Sequence, residues 1–287
     1  MAEVVILGSA QDGGVPHAGC VCANCRRARA HPEHRRRPAS LGLRADDDWA
    51  LVDATQAFEE QLHMLWARRP ASAGHAVERY QPPDKIILTH AHTGHYTGLW
   101  QLDKSVLAAR NVTVLAPPET AALLRANEPW AAMCRDGYIS IEALAWDVPV
   151  EPVAGVAVTP LAVPHRSEWP TDTAALHIET ARTRVLYLPD IDFWDEWERS
   201  IVEVVGSVQI ALLDGSFWAA PTSKDVPHPP LRETMDRLQA VADSGATRII
   251  FTHLNHSNPV VDAASPERRE LEGRGFEIAG DGMAIEI

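Results

Sequence analysis

Apolar residues fall into short blocks along this chain. Runs rich in Val, Ile and Leu occupy 4–7, 50–52, 85–88, 112–115, 156–161, 175–178, 184–188, 209–213 and 248–251, each bounded by Gly, Pro, Asp or His. Blocks this short, apolar on consecutive rather than alternate residues, predict strands buried on both faces. Helical periodicity lies between them, at 56–68, 118–127, 194–205 and 231–244. Strands interspersed with helices predict an α/β sandwich, sheets inside and helices outside. The basic stretch 26–44 and the Pro-rich stretch 221–230 read as surface insertions or lids over a site. No repeat and no low-complexity linker divides the 287 residues, so a single domain over 1–287 is expected.

Composition narrows the partners. With 26 Lys+Arg against 39 Asp+Glu the net charge is −13, which disfavours phosphate backbones, so no nucleic-acid partner is expected. The N-terminal residues show no basic region, apolar stretch or cleavage site, and no segment is long and apolar enough to span a bilayer. A cytoplasmic protein acting on a small molecule, with no membrane partner, is the expectation, and a homodimer is left open.

The chemistry is concentrated in histidines. The strand at 85–88 runs into Thr89-His90-Ala91-His92-Thr93-Gly94-His95. Three imidazoles within six residues at a strand end can converge on one zinc, iron or manganese ion. Further ligand types follow later apolar runs: His165 after Val163-Pro164, Asp190 after Leu188-Pro189, and His253 after Thr252. Side chains at the ends of different strands can meet in one cleft. Three of the four cysteines crowd into Cys20, Cys22 and Cys25, a spacing that suits a metal better than disulfides. Cys134 stands apart and reads as a core residue.

Other residues carry weaker signals. Asp53, at the end of 50–52, either orients a metal-bound histidine or caps a turn. Asp214 is a candidate for the floor of the site, and His228 reaches it if its loop is a lid. His17 sits near the cysteines, and His177 alternates with apolar neighbours as a structural strand residue. Trp100, Trp169, Trp194 and Trp218 lie close to ligand-bearing segments and either line a substrate pocket or pack in the core.

The histidine segment resembles the metallo-β-lactamase superfamily, whose motif is Thr-His-x-His-x-Asp-His followed by a His, a bridging Asp and a last His at later strand ends. The resemblance spans nearly the whole chain and implies a four-layer αββα sandwich. It implies that His90, His92 and His165 hold a first metal, His95 and His253 a second, with Asp190 bridging. Gly94 departs from the pattern, because the motif has there an aspartate that binds the second metal. One or two ions, zinc, manganese or iron, are therefore expected.

Two branches look similar. Leu7-Gly8-Ser9-Ala10, Gly13-Gly14, the cysteines, 212–218 and Asn258-Pro259 resemble the pyrroloquinoline quinone biosynthesis B proteins, which usually lack parts of the histidine motif retained here. The cysteines with His253-Leu254-Asn255-His256 resemble the cyclic phosphodiesterase of phosphonate breakdown, which implies His256 as fourth ligand of a structural zinc beside Cys20, Cys22 and Cys25. Three thiolates and an imidazole also form a closed tetrahedral set in their own right.

The expected function is a metallo-hydrolase, phosphodiesterase-like, in which a metal-activated water attacks a phosphodiester or related ester. Asp190 would position the water, and His95 or His253 would assist proton transfer if no second metal binds. The alternative is an iron-dependent oxygenase or oxidase in pyrroloquinoline quinone-type cofactor biosynthesis. A non-catalytic metal-binding protein is the third.

Overall fold

The computed structural model describes residues 2–68, 82–166, 169–220 and 226–287. In the first sheet β1 (Ala2–Gly8), β2 (Ser40–Ala45), β3 (Asp48–Val52), β4 (Lys85–Ile87), β5 (Val112–Ala116) and β6 (Ile139–Ala143) lie side by side in chain order. The second sheet runs likewise from β7 (Val150–Val153) through β8 (Val156–Ala162), β9 (Ala174–Glu179), β10 (Arg184–Leu188), β11 (Ile210–Asp214) and β12 (Arg248–Thr252) to β13 (Glu277–Ile278). The last strand, β14 (Ala284–Glu286), returns to the first sheet and pairs antiparallel with β1. In each sheet an antiparallel meander passes into a parallel half: from β3 onward in the first, from β10 onward in the second.

Side chains alternate across each strand, and here both faces are apolar because both are covered. Val4, Ile6, Leu41, Leu43, Val52 and Ile87 meet Val156, Val158, Ile178, Tyr187, Leu212 and Ile250 between the sheets. The alternate residues Val5, Leu7 and Leu51 face Phe58, Leu62 and Leu65 of the helix Phe58–Trp66. On the other outer face Leu186, Leu213 and Phe251 meet Leu231, Met235 and Leu238 of the helix Leu231–Ser244. Each such buried side chain contributes roughly 1.5–3 kcal/mol. The result is the expected αββα order. Among the described residues no helix is long and apolar enough to cross a membrane.

Two expectations about elements change. The stretch 26–44 is not a surface insertion: it completes the helix Ala23–Ala30 and then supplies β2, buried over Ser40–Leu43 and paired with both β1 and β3. Leu41 and Leu43 alternate as a strand requires, but the preceding basic run hides them. The helix expected at 194–205 divides into a 3₁₀ turn, Trp194–Glu196, and the helix Ile201–Gly206. Trp194 Nε1 donates to Thr234 Oγ1 and Trp197 Nε1 to Ala162 O, both at 2.8 Å, which pins the first part down. The Ser200 side chain, accepting from Glu203 N, starts the second part afresh. Of the expected lid 221–230, residues 221–225 lie outside the described residues. Its remainder turns inward and buries His228.

Candidate metal centre

The site sits at the carboxyl ends of the parallel strands, where chain direction changes and side chains from both sheets converge. On the first sheet, Asp53 follows β3 in a left-handed conformation (φ 62°) that aims its carboxylate toward the end of β4. That carboxylate accepts from Thr89 N at 2.8 Å, from Thr89 Oγ1 at 2.9 Å and from His95 Nδ1 at 2.8 Å. Because the Thr89 hydroxyl donates to Asp53, it accepts from His90 Nδ1 at 2.9 Å. Both histidines are thus fixed with Nδ1 protonated and the Nε2 lone pair directed into the site. His92 precedes the short helix Thr93–Tyr96, which brings His95 back beneath His90, ring centroids 4.1 Å apart.

The second sheet supplies the other half. His165 Nδ1 donates to Asp192 at 2.7 Å, leaving Nε2 3.3 Å from Asp190 Oδ2 and 3.1 Å from His92 Nδ1. His253, directly after β12 and also left-handed (φ 54°), donates through Nδ1 to Ser216 Oγ at 3.1 Å. Its Nε2 lies 3.5 Å from Asp190 Oδ2. His228 donates through Nδ1 to Asp214 at 2.7 Å, with Asp190 Oδ1 3.4 Å away. Non-glycine residues at positive φ are costly, and two of them at strand ends of the two sheets, both serving this site, mark a place where geometry matters more than local comfort.

Asp190 lies at the centre, its Oδ2 also 3.3 Å from His90 Nε2. Burial pushes its carboxyl up, but the imidazoles of His165, His253 and His228 hold it well below the usual carboxylate range. Burial and neighbouring His95 hold His90 neutral, the form that offers a lone pair. Burial pulls His165 down, yet Asp190 and Asp192 outweigh it and push it up to about 9. The same contest at His228 is won by Asp214 and Asp190, which raise it.

Buried polar atoms normally find hydrogen bonds, but His90 Nε2, His253 Nε2 and Asp190 Oδ1 find none among the described residues. Three unsatisfied atoms of ligand type, converging in one buried cluster, fit a divalent metal. Ligand atoms of His90, His92, His165 and Asp190 lie within 4.8 Å of one another, as do those of Asp12, His95 and His253. A cavity of about 380 Å³ opens over them, with Trp169, Arg166 and His228 in its wall. Arg166 is already engaged, donating to Asp192 and to Pro227 O.

A second cluster lies at the cavity edge. Cys20, Cys22, Cys25 and His256 bring one ligand atom each within 4.8 Å of one another, with Cys22 Sγ 3.6 Å from His256 Nδ1. His17 stacks on His256 with ring centroids 4.5 Å apart, and the His17 backbone N–H donates to Cys25 Sγ. All four cysteines are free thiols, and Cys134 is half-buried against the outer core of the first sheet.

Residues 48–254 match the β-lactamase superfamily domain. The chain belongs to the metallo-β-lactamase superfamily. Coenzyme PQQ synthesis protein B of Methylobacterium radiotolerans is 28% identical over 312 residues, covering 99% of this chain and all of that one. The crystal structure of Zn(2+)-bound PqqB from Methylobacterium extorquens superposes with a TM-score of 0.82 at 25% identity, over 99% of this chain and 100% of the other. A diphosphatase of the PhnP family shares the fold, with a TM-score of 0.69 at 21% identity over 99% and 96% of the two chains. The zinc-bound neighbour and the histidine and aspartate clusters together support divalent metal binding.

Every active-site ligand expected from the superfamily motif reaches the one centre, and Asp53, Asp214 and His228 join it. His177 lies away from it, in mid-β9 opposite Leu186. Of the tryptophans, Trp169 lines the cavity, Trp194 is buried, Trp218 packs beneath Arg232 and Trp100 is exposed. Asp12, Asp192 and Ser216 were not foreseen. They lie in loops without periodicity, and only the three-dimensional partners of His95, His165 and His253 reveal them.

The buttress under the first histidines gives a test. Asp53→Ala leaves Thr89 N–H, Thr89 O–H and His95 Nδ1–H without their acceptor in a fully buried position. Urea denaturation should show a loss of about 3 kcal/mol or more, since each orphaned buried donor costs roughly 1–3 kcal/mol. A loss under about 1 kcal/mol would mean that the contacts are incidental.

Proposed function

We propose that this chain is a cytoplasmic metal-dependent hydrolase acting on a small phosphodiester or related ester, with residues 1–287 working as one domain. The observation that carries the reading is the cluster at the strand ends: five histidines and Asp190, with a cavity above. His90, His92, His165 and Asp190 would hold the first ion, and His95 and His253 the second with Asp190 shared, filled by zinc, manganese or iron. Cys20, Cys22, Cys25 and His256 would hold a structural zinc. A divalent ion bound in the centre lowers the pKa of water toward neutrality and offsets charge on a developing oxyanion.

The chain's own residues supply the rest. Asp190, the most central acceptor, orients water for attack. His95 and His253 carry protons only if the second position stays empty, because their outward nitrogens are already donated to Asp53 and Ser216. His228 is placed to hand a proton to a leaving group: Asp214 fixes its Nδ1–H, and the ring stands in the cavity wall. His228→Gln should lower kcat by about a hundredfold or more on substrates with poor leaving groups and far less on nitrophenyl esters, with metal content unchanged. Equal losses on both would remove His228 from that role.

The relatives' names support a second reading more directly than the first. PQQ synthesis proteins B matching end to end favour a step in synthesis of that cofactor, for which the iron-dependent oxygenase or oxidase is the matching chemistry. Two assays separate the readings. Metal-loaded protein is offered phosphodiesters, thioesters and lactones, and iron-loaded protein is offered a tyrosine-containing peptide with oxygen uptake followed. Turnover in the first and silence in the second support hydrolysis, and the converse result overturns it.

A further inference from the structure

We propose that Asp12, from the loop after β1, supplies the carboxylate that the histidine motif lacks at Gly94, and so completes a second metal position with His95, His253 and Asp190. The proposal rests on the metal-centre reading above and adds the one ligand that this reading leaves out.

Three observations carry it. First, Asp12 Oδ1 lies 3.3 Å from His95 Nε2 and 3.6 Å from His253 Nε2, the two imidazoles assigned to that position. One of these acceptors, His253 Nε2, is buried without a hydrogen bond among the described residues, so the group it faces is a ligand partner rather than a satisfied network. Second, Asp12 occupies the space of the missing side chain. A Cβ built on Gly94 would stand 2.5 Å from both Cα and Cγ of Asp12 and overlap its Cβ. Side chains at 94 and 12 are mutually exclusive here, and Gly94 is the residue that lets the Asp12 loop come in. The absent aspartate and the new one are therefore two halves of one exchange, with the carboxylate kept and its origin in the chain moved.

Third, the loop is held rather than draped. Leu254 N donates to Ser9 O at 2.9 Å, Gln11 N to Leu254 O at 3.0 Å and Gly14 N to Gln11 O at 2.8 Å. The Gln11 amide bridges Ser216 Oγ and Asn255 Nδ2. Asp12 is thus registered against the residue that follows the His253 ligand. The same loop continues into Cys20, Cys22 and Cys25, whose fourth partner His256 lies three residues beyond His253. A carboxylate fixed to within hydrogen-bond tolerance can serve a metal, whereas one on an untethered loop loses affinity to ordering entropy.

The test is metal stoichiometry and binding, not turnover. The full-length protein and Asp12→Ala are stripped, reloaded with Zn(II) or Mn(II), and analysed by elemental analysis, titration calorimetry and Mn(II) electron paramagnetic resonance. Co(II)–thiolate absorption accounts separately for the cysteine site and shows that the variant is folded around it. The parent should bind two ions in the histidine centre and give an exchange-coupled manganese spectrum. Asp12→Ala should keep one ion, give an uncoupled spectrum, and bind the second at least about a hundredfold more weakly. Asp12→Asn, which keeps the shape and removes the charge, should behave likewise if the alanine variant fails to fold. Two ions bound with unchanged affinity in either variant, or a single ion in the parent, would overturn the role of Asp12 and leave the metal-dependent reading intact. No ion in the parent's histidine centre would overturn both.

Discussion

Replacing Asp190 by alanine should lower kcat/KM by about a thousandfold or more and reduce the chelator-induced fall in melting temperature to the part due to the separate cysteine cluster. The size of the effect follows from where the carboxylate lies. Its Oδ2 is 3.3 Å from His90 and His165 and 3.5 Å from His253, and its Oδ1 is 3.4 Å from His228. It is in contact with histidines from both sheets, so on the proposed reading its loss would remove an anion shared by both metal positions and the acceptor that orients water. Loss of even an outer partner of a metal ligand costs 10–100-fold, and a bridging ligand must cost more. In the parent, metal bound only by the folded state raises the melting temperature, and a chelator takes that increment away. Steady-state kinetics with metal analysis, and melting with and without chelator, check both halves. A variant within tenfold of the parent would show that Asp190 does not stand at the reacting centre.

Cys22→Ser should release the ion of the cysteine cluster and lower the melting temperature by on the order of 10 °C, since closed zinc sites contribute several kcal/mol to folding and each kcal/mol moves a chain this size by about 2–4 °C. The cluster ties the helix Ala23–Ala30 to the loop after β12, a separation of more than 230 residues bridged also by Asn24 Nδ2 donating to His256 O and Asn258 O. Those two hydrogen bonds persist in the variant, so the fold survives while the N-terminal loop loosens. Because Asp12 lies on that loop, the second ion of the histidine centre should weaken along with the first loss. Calorimetric melting and elemental analysis on the purified variant measure both. An unchanged melting temperature with the zinc gone would make the cluster an ornament of the surface.

The parts of the molecule legible from sequence are those where local pattern and burial agree. Apolar blocks such as 85–88 and 248–251 form strands because both their faces are covered, so every residue after the leading Lys85 and Arg248 is apolar. The candidate ligands His165, Asp190 and His253 stand out in the sequence because each lies just past such a block. β2 was not, since Gly42 and the basic run before it dilute the alternation of Leu41 and Leu43. The 194–205 segment kept its helical spacing but lost its continuity to two indole hydrogen bonds that no local pattern encodes. At the site, Gly94 was visible as a departure, while its compensation was not. The link between Asp12 and Gly94 spans 82 positions of sequence and exists only as a steric exclusion. Asp192 and Ser216 belong to the same class: they act on histidines of other loops, and their own surroundings in sequence are ordinary.

One buried centre, built from the ends of both sheets, should hold metal. Anomalous diffraction at the zinc edge, on crystals of protein loaded with zinc, tests it most directly. The expected map has a peak among Cys20, Cys22, Cys25 and His256, a second among His90, His92, His165 and Asp190, and a third beside Asp12, His95 and His253. Crystals that show density at the cysteines and none within the histidine centre would contradict it.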